Sequence, residues 1–166
     1  SLTIGTSTGA GAGAGTLTYI ANSKDLNVGV RGLNISSNGN ITGANTGCDI
    51  NVAGNILLNK NLTNTAVIIH TTQPSTISGT GQMALLEVDA ATTNAGTITV
   101  SNTVNLNAGS FTNNGTFTAG IFKYPVINLN ATNSVGQTMS ITNLRFANDN
   151  CGMLNYGTLN VTNVNI

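Results

Sequence analysis

Glu87 and Asp89, in "LLEVDAA", are the only two carboxylates that stand close together in this chain. Side chains at i and i+2 of a β-strand share a face, so a strand here would aim both at one spot, as paired acids must be for acid/base or glycosidic chemistry. Solenoid enzymes of the pectin-degrading kind cluster acids in this way on a coil surface. Such sites add further acids and a basic group, whereas the neighbours here are Ala, Thr and Asn. A solvated or weakly ion-binding edge is the reading the surroundings favour.

His70, the single histidine, follows "AVII" and has the position of a strand-end residue more than that of a general base. One histidine assembles no Ser/His/Asp set, and Cys48 and Cys151 give no metal-ligand spacing. The glycine-rich "GAGAGAG" lacks the Lys of a phosphate loop and opens no helix. Calcium-binding repeats need an Asp in each turn, and Asp25, Asp49, Asp89 and Asp149 fall in no such register. The expectation is a chain that is not an enzyme and has no catalytic residue, cofactor or metal.

Charge narrows the field further. Only 6% of the 166 residues are charged, five positive against five negative, where ordinary soluble domains carry roughly 25%. Lys24, Arg31, Lys60, Lys123 and Arg145 are too few and too scattered to neutralise phosphates, so nucleic acid is excluded as a partner. No apolar run approaches the roughly 18 residues of a membrane span. The opening at Ser1, without Met or a signal-like apolar stretch, reads as processed or trimmed. Two cysteines are compatible with an oxidising compartment without requiring one.

What must position any surface group is a β framework. Hydrophobic residues make up 40% of the chain, aromatics 4%, and Trp is absent, so the interior falls to Val, Ile and Leu, which suit a pleated sheet. Asn, Thr, Ser and Gly fill the polar positions and favour turns and strands over helices. "QMALLEVDAA", Gln82 to Ala91, is the one helix-friendly stretch, yet its period-2 alternation argues for a strand.

The phrase Asn94-Ala-Gly-Thr-Ile-Thr-Val returns as Asn113-Asn-Gly-Thr-Phe-Thr-Ala and as Asn155-Tyr-Gly-Thr-Leu-Asn-Val. Gly39, Gly54, Gly81, Gly96, Gly115, Gly136 and Gly157 recur before alternating apolar residues, the last four at intervals of 19, 21 and 21. Around Gly136 the apolar residues Met139 and Ile141 come one place late, the mark of a bulge or slip. A period near 20 with period-2 alternation inside each unit predicts a single-stranded parallel β-helix, a β-solenoid of about eight coils and roughly 38 Å. Each glycine is expected to mark a corner and to supply a positive φ there. Ile98 and Val100 should point inward, Thr97 and Thr99 outward, with Phe117 stacked above Ile98.

The alternative is an antiparallel β-sandwich. The cysteines discriminate, because a disulfide needs Cα atoms within about 7 Å and a solenoid holds Cys48 and Cys151 several coils apart. The domain division expected is an N-terminal arm or linker over 1–15 and the solenoid over 16–166. Outward Thr-x-Thr pairs, Thr16/Thr18, Thr97/Thr99 and Thr116/Thr118, resemble ice-binding arrays. Asn40/Thr42, Asn55/Leu57 and Gln82/Ala84 interrupt them.

The Asn-x-Gly-Thr-apolar phrases from Gly39 to Ile166 resemble the passenger repeats of bacterial autotransporters and filamentous-haemagglutinin-type adhesins. That resemblance implies a secreted, surface-displayed right-handed β-helix, and the chain departs from it in its short length and in having no recognisable secretion barrel. The localisation expected is extracellular or cell-surface, in a bacterium. "VTNVNI" runs strand-like to Ile166 without a charged cap, and an uncapped coil invites another subunit. The expected function is therefore a structural subunit that assembles with copies of itself into a filament, sheath or surface layer. Ser1, Leu2, Thr3, Ile4, Cys48, Cys151, Val164 and Ile166 are the candidate intersubunit residues. The alternative is an adhesin passenger fragment binding a host glycan or protein through loops such as Ala21 to Gly32 or Asn143 to Gly152.

Overall fold

The computed structural model describes residues 1–5, 14–19, 25–43, 47–146 and 150–166. Most of the glycine-rich stretch of the expected arm lies outside the described residues, as do parts of both expected binding loops. Eighteen strands form among them, and no helix.

The chain winds in rungs. The first is β1 (Leu2–Ile4), β2 (Gly15–Tyr19) and β3 (Leu26–Val28); the second is β4 (Leu33–Ile35), β5 (Gly39–Gly43) and β6 (Cys48–Val52). Beyond these, each rung has two strands: β7 (Ile56–Leu58) and β8 (Val67–Thr71), β9 (Ser75–Ser78) and β10 (Thr80–Val88), β11 (Thr92–Asn94) and β12 (Thr97–Leu106). The last three are β13 (Ser110–Asn113) with β14 (Thr116–Tyr124), β15 (Asn130–Asn133) with β16 (Thr138–Phe146), and β17 (Gly152–Asn155) with β18 (Thr158–Asn165).

Every strand pairs in parallel with the strand one turn away. Two eight-stranded sheets result, β1-β4-β7-β9-β11-β13-β15-β17 and β3-β6-β8-β10-β12-β14-β16-β18, with β2 and β5 paired beside them. This is a β-solenoid of about seven turns, close to the eight coils expected, and the all-parallel pairing excludes the sandwich. Leu2–Ile4, expected in an arm, enters the first sheet: Leu2 pairs with Leu33 and Ile4 with Ile35. Leu26–Val28 and Asn143–Phe146, expected within binding loops, are strand.

In the long strands the in/out alternation slips phase once, near Ala84, Ser101–Asn102 and Gly120, where the strand turns from a second face to a third. Ile98, Val100, Phe117 and Ala119 are buried, Thr97 and Thr116 exposed, and Ile98 is in register with Phe117. Four phenylalanines and Tyr124 pack in one interior stack, Phe111 to Phe117 at 4.7 Å and Tyr124 to Phe146 at 5.0 Å. These rings are thus concentrated in two neighbouring rungs.

The corner glycines act through space rather than through φ. Of the seven, only Gly136 has a positive φ, 74°, in the turn that absorbs the extra residue before Met139. A Cβ on Gly96 would strike the carbonyl of Gly79, and one on Gly115 the carbonyl of Gly96. Gly39, Gly54, Gly81 and Gly157 are likewise pressed against Ile4, Val30, Lys60 and Gln137 carbonyls of the neighbouring rung. Stacked corners leave no room for a side chain.

Candidate functional site

The third face of the solenoid gathers groups that the sequence scatters. Outward positions of β3, β6, β8, β10, β12, β14, β16 and β18 line up as one column: Asn27, Asn51, His70, Glu87, Asn105, Lys123, Arg145 and Asn165. Asp25, Asp49 and Asp89 flank its first half. All four described carboxylates therefore lie on this face, toward the N-terminal end, and its two cations, Lys123 and Arg145, toward the C-terminal end.

Hydrogen bonds tie the acidic half together. His70 Nδ1 lies 2.8 Å from Asp89 Oδ2, whereas its Nε2, 3.6 Å from Asp49 Oδ1, is beyond hydrogen-bond range and leaves that buried oxygen without a hydrogen bond. Asn105 donates to Glu87 Oε1 at 2.7 Å, and Asn107 donates to Glu87 Oε2 at 2.6 Å and to Asp89 Oδ1 at 2.9 Å. Both Glu87 and Asp89 thus have both oxygens engaged, which holds the two side chains in place in an amide-lined patch. Among the described residues no set of three His, Cys, Asp or Glu side chains is arranged to hold a metal. An open groove of about 480 Å³ lies at the N-terminal end, against Leu2, Leu26, Val30 and the column's own Asn27, away from Glu87 and His70.

The cations are unengaged. Among the described residues no Lys or Arg lies within ion-pair distance of a carboxylate, and the only ion pairs involve His70. Glu87 and Lys123 are two rungs apart, about 9.6 Å, too far to pair within one chain.

From β10 to β18 the second face is neutral. Thr80, Thr97, Thr116, Thr138 and Thr158 form one unbroken column, while the parallel column runs Gln82, Thr99, Thr118, Ser140, Asn160. Of the interruptions read from the sequence, Asn55/Leu57 belongs to another face. The mixed second column still denies this face the two-dimensional regularity of an ice-binding lattice.

Inside, the first face carries an element that the sequence reading missed. Asn94, Asn113, Asn133 and Asn155 stack in register, and each Nδ2 donates to the next Oδ1 at 2.8 Å. Asn94, Asn113 and Asn133 are fully buried. Their amides also cap the corner: Asn113 accepts from Gly115 N at 3.3 Å and donates to Thr138 O at 3.0 Å. The ladder has a direction, with every donor pointing toward the C-terminal end. Asn155 sits on the last rung, where its amide donates only to Gly157 O at 3.1 Å.

The candidate intersubunit residues divide between the two ends, with one exception. Ser1 and Thr3 are exposed on the first rung, where Leu2 is half-buried and Ile4 buried. Val164 is 55% exposed and Ile166 fully exposed on the last. Cys151 is half-buried, its thiol donating to Val126 O at 3.1 Å. Cys48 is buried on the second rung, so a link from it to another copy would require that rung to open. The two cysteines are not joined.

No helix among the described residues is long and apolar enough to cross a membrane. Comparison with protein-family models, with curated proteins and with solved structures found no match to this chain.

Proposed function

We propose that this chain is a structural rod, an extracellular or cell-surface β-solenoid subunit that joins end to end with copies of itself. The last rung carries the argument. Leu154, Tyr156, Val164 and Ile166 are exposed there, Leu159 and Val161 are only partly covered, and nothing among the described residues pairs with the outer edge of β18. A parallel edge with an apolar inner face is a template for one more rung. The first rung offers a second open edge, with Leu2, Leu17 and Leu26 only partly buried. Contact between unlike ends does not close and propagates along the axis.

The same surfaces support a second reading, an adhesin passenger in which the polypeptide itself supplies further rungs. The resemblance of the Asn-x-Gly phrases to autotransporter and filamentous-haemagglutinin repeats favours it, and the exposed amide of Asn155 fits a next rung carrying another inward Asn. The intact polypeptide's mass separates the two: a chain extending well past Ile166 supports the passenger. Sedimentation of the protein beside Val164→Lys tests the rod, because a charge on the end should abolish axial growth and leave the fold intact.

A further inference from the structure

The charge pattern of the third face is self-complementary under reversal. About Asn105, the column reads Glu87, His70 and Asn51 in one direction and Lys123, Arg145 and Asn165 in the other. We propose that this face binds the same face of a second copy, rods antiparallel, about a two-fold axis lying along the strand direction over β12.

That operation keeps each position along the strand and exchanges rungs on either side of Asn105. Glu87 of each copy then meets Lys123 of the other, twice per pair. Arg145 of each meets His70, which has Asp89 on one side and Asp49 on the other. The parallel arrangement, with the two-fold along the rod, would set Glu87 on Glu87 and Lys123 on Lys123. Like charges facing each other are repulsive, so the pattern selects the antiparallel pair.

Three features suit a protein partner of this kind. Glu87 is held in place by Asn105 and Asn107, so little side-chain freedom is lost on pairing. Lys123 and Arg145 form no ion pair among the described residues, and no competing salt bridge must break. The face is a sheet, and two copies of it share one rung spacing, so the seven rungs from Asn51 to Asn165 can each meet a counterpart across the axis. Its extent is about 34 Å by about 13 Å, roughly 450 Å² per copy. That is below the roughly 800 Å² per partner of a standard stable interface. The pair is therefore weak, and most of its specificity is electrostatic.

Sedimentation velocity in the Val164→Lys background, which removes axial growth, reads the association directly. At about 20 mM salt the average mass should rise with concentration toward a dimer, and about 0.5 M salt should return it to monomer. Glu87→Lys alone and Lys123→Glu alone should each abolish the dimer. The double variant Glu87→Lys/Lys123→Glu should regain it, because the reversed charges again meet their opposites across the axis. A monomer at low salt, single variants that dimerise as the parent does, or a double variant that stays monomeric would each overturn the proposal. Misfolding does not mimic the expected result, since rescue by the second substitution requires both charges to be presented on an intact face.

Discussion

The Nδ2 of Asn113 donates to Oδ1 of Asn133 across 2.8 Å, in the interior, one rung above the same bond from Asn94. Below Asn94 the column is apolar, with Ile77, Ile56, Leu33 and Leu2 in succession. One inward column therefore changes chemistry halfway along the rod, and its three buried amides, Asn94, Asn113 and Asn133, are each satisfied by their neighbours.

Asn113→Ala should destabilise the protein by about 2–4 kcal/mol, because it leaves a cavity and strips partners from Gly115 N, Thr138 O and Asn133 Oδ1 at once. Asn155→Ala, on the exposed last rung, should cost less than about 1 kcal/mol. Urea unfolding of the two variants checks the contrast, and equal costs would mean that the ladder contributes nothing beyond its volume.

The corner glycines give a second contrast. Gly115→Ala should cost about 2–3 kcal/mol by forcing a Cβ onto the Gly96 carbonyl, and Gly115→Asn should be no better. Gly136 has a positive φ and open space around it, so Gly136→Ala should cost about 1 kcal/mol and Gly136→Asn distinctly less. Thermal or urea unfolding of the four variants reads the difference.

Tyr124 sets an alkaline limit. Burial pushes its phenol far above the usual value near 10, the nearby Cys151 adds to the rise, and its hydroxyl donates to Gly152 O at 3.1 Å. A group whose folded pKa is raised stabilises the fold fully below its unfolded pKa and loses that contribution as pH climbs. Stability should therefore fall above about pH 10, by up to about 1.4 kcal/mol per pH unit from this residue. In Tyr124→Phe that part of the slope should vanish, as measured by urea unfolding between about pH 9 and about pH 12.

Much of the fold was legible because solenoid register is written in the spacing. Gly96 and Gly115 stand 19 apart, and Thr97 pairs with Thr116 at that same offset. The slip at Gly136 was visible as two late apolar residues, and Met139 does pair with Phe117. The reason for the glycines was not visible, since spacing marks a corner without saying whether φ or contact demands the small residue. The Asn ladder could have been found by carrying the alternation from Ile98 back across the corner to Asn94. The charged face could not, because Asp49, His70, Glu87, Lys123 and Arg145 lie far apart in sequence and meet only once each turn's length is fixed. The steps from Gly39 to Gly54 and on to Gly81, 15 and 27 residues, are too uneven to fix it.

Electron microscopy of the concentrated protein bears most directly on the rod. Axial growth predicts straight fibres many times the length of one solenoid, with a continuous repeat of about 4.8 Å along the axis, and Val164→Lys particles no longer than one subunit. Uniform single particles from the unaltered protein at every concentration, indistinguishable from those of Val164→Lys, would contradict it.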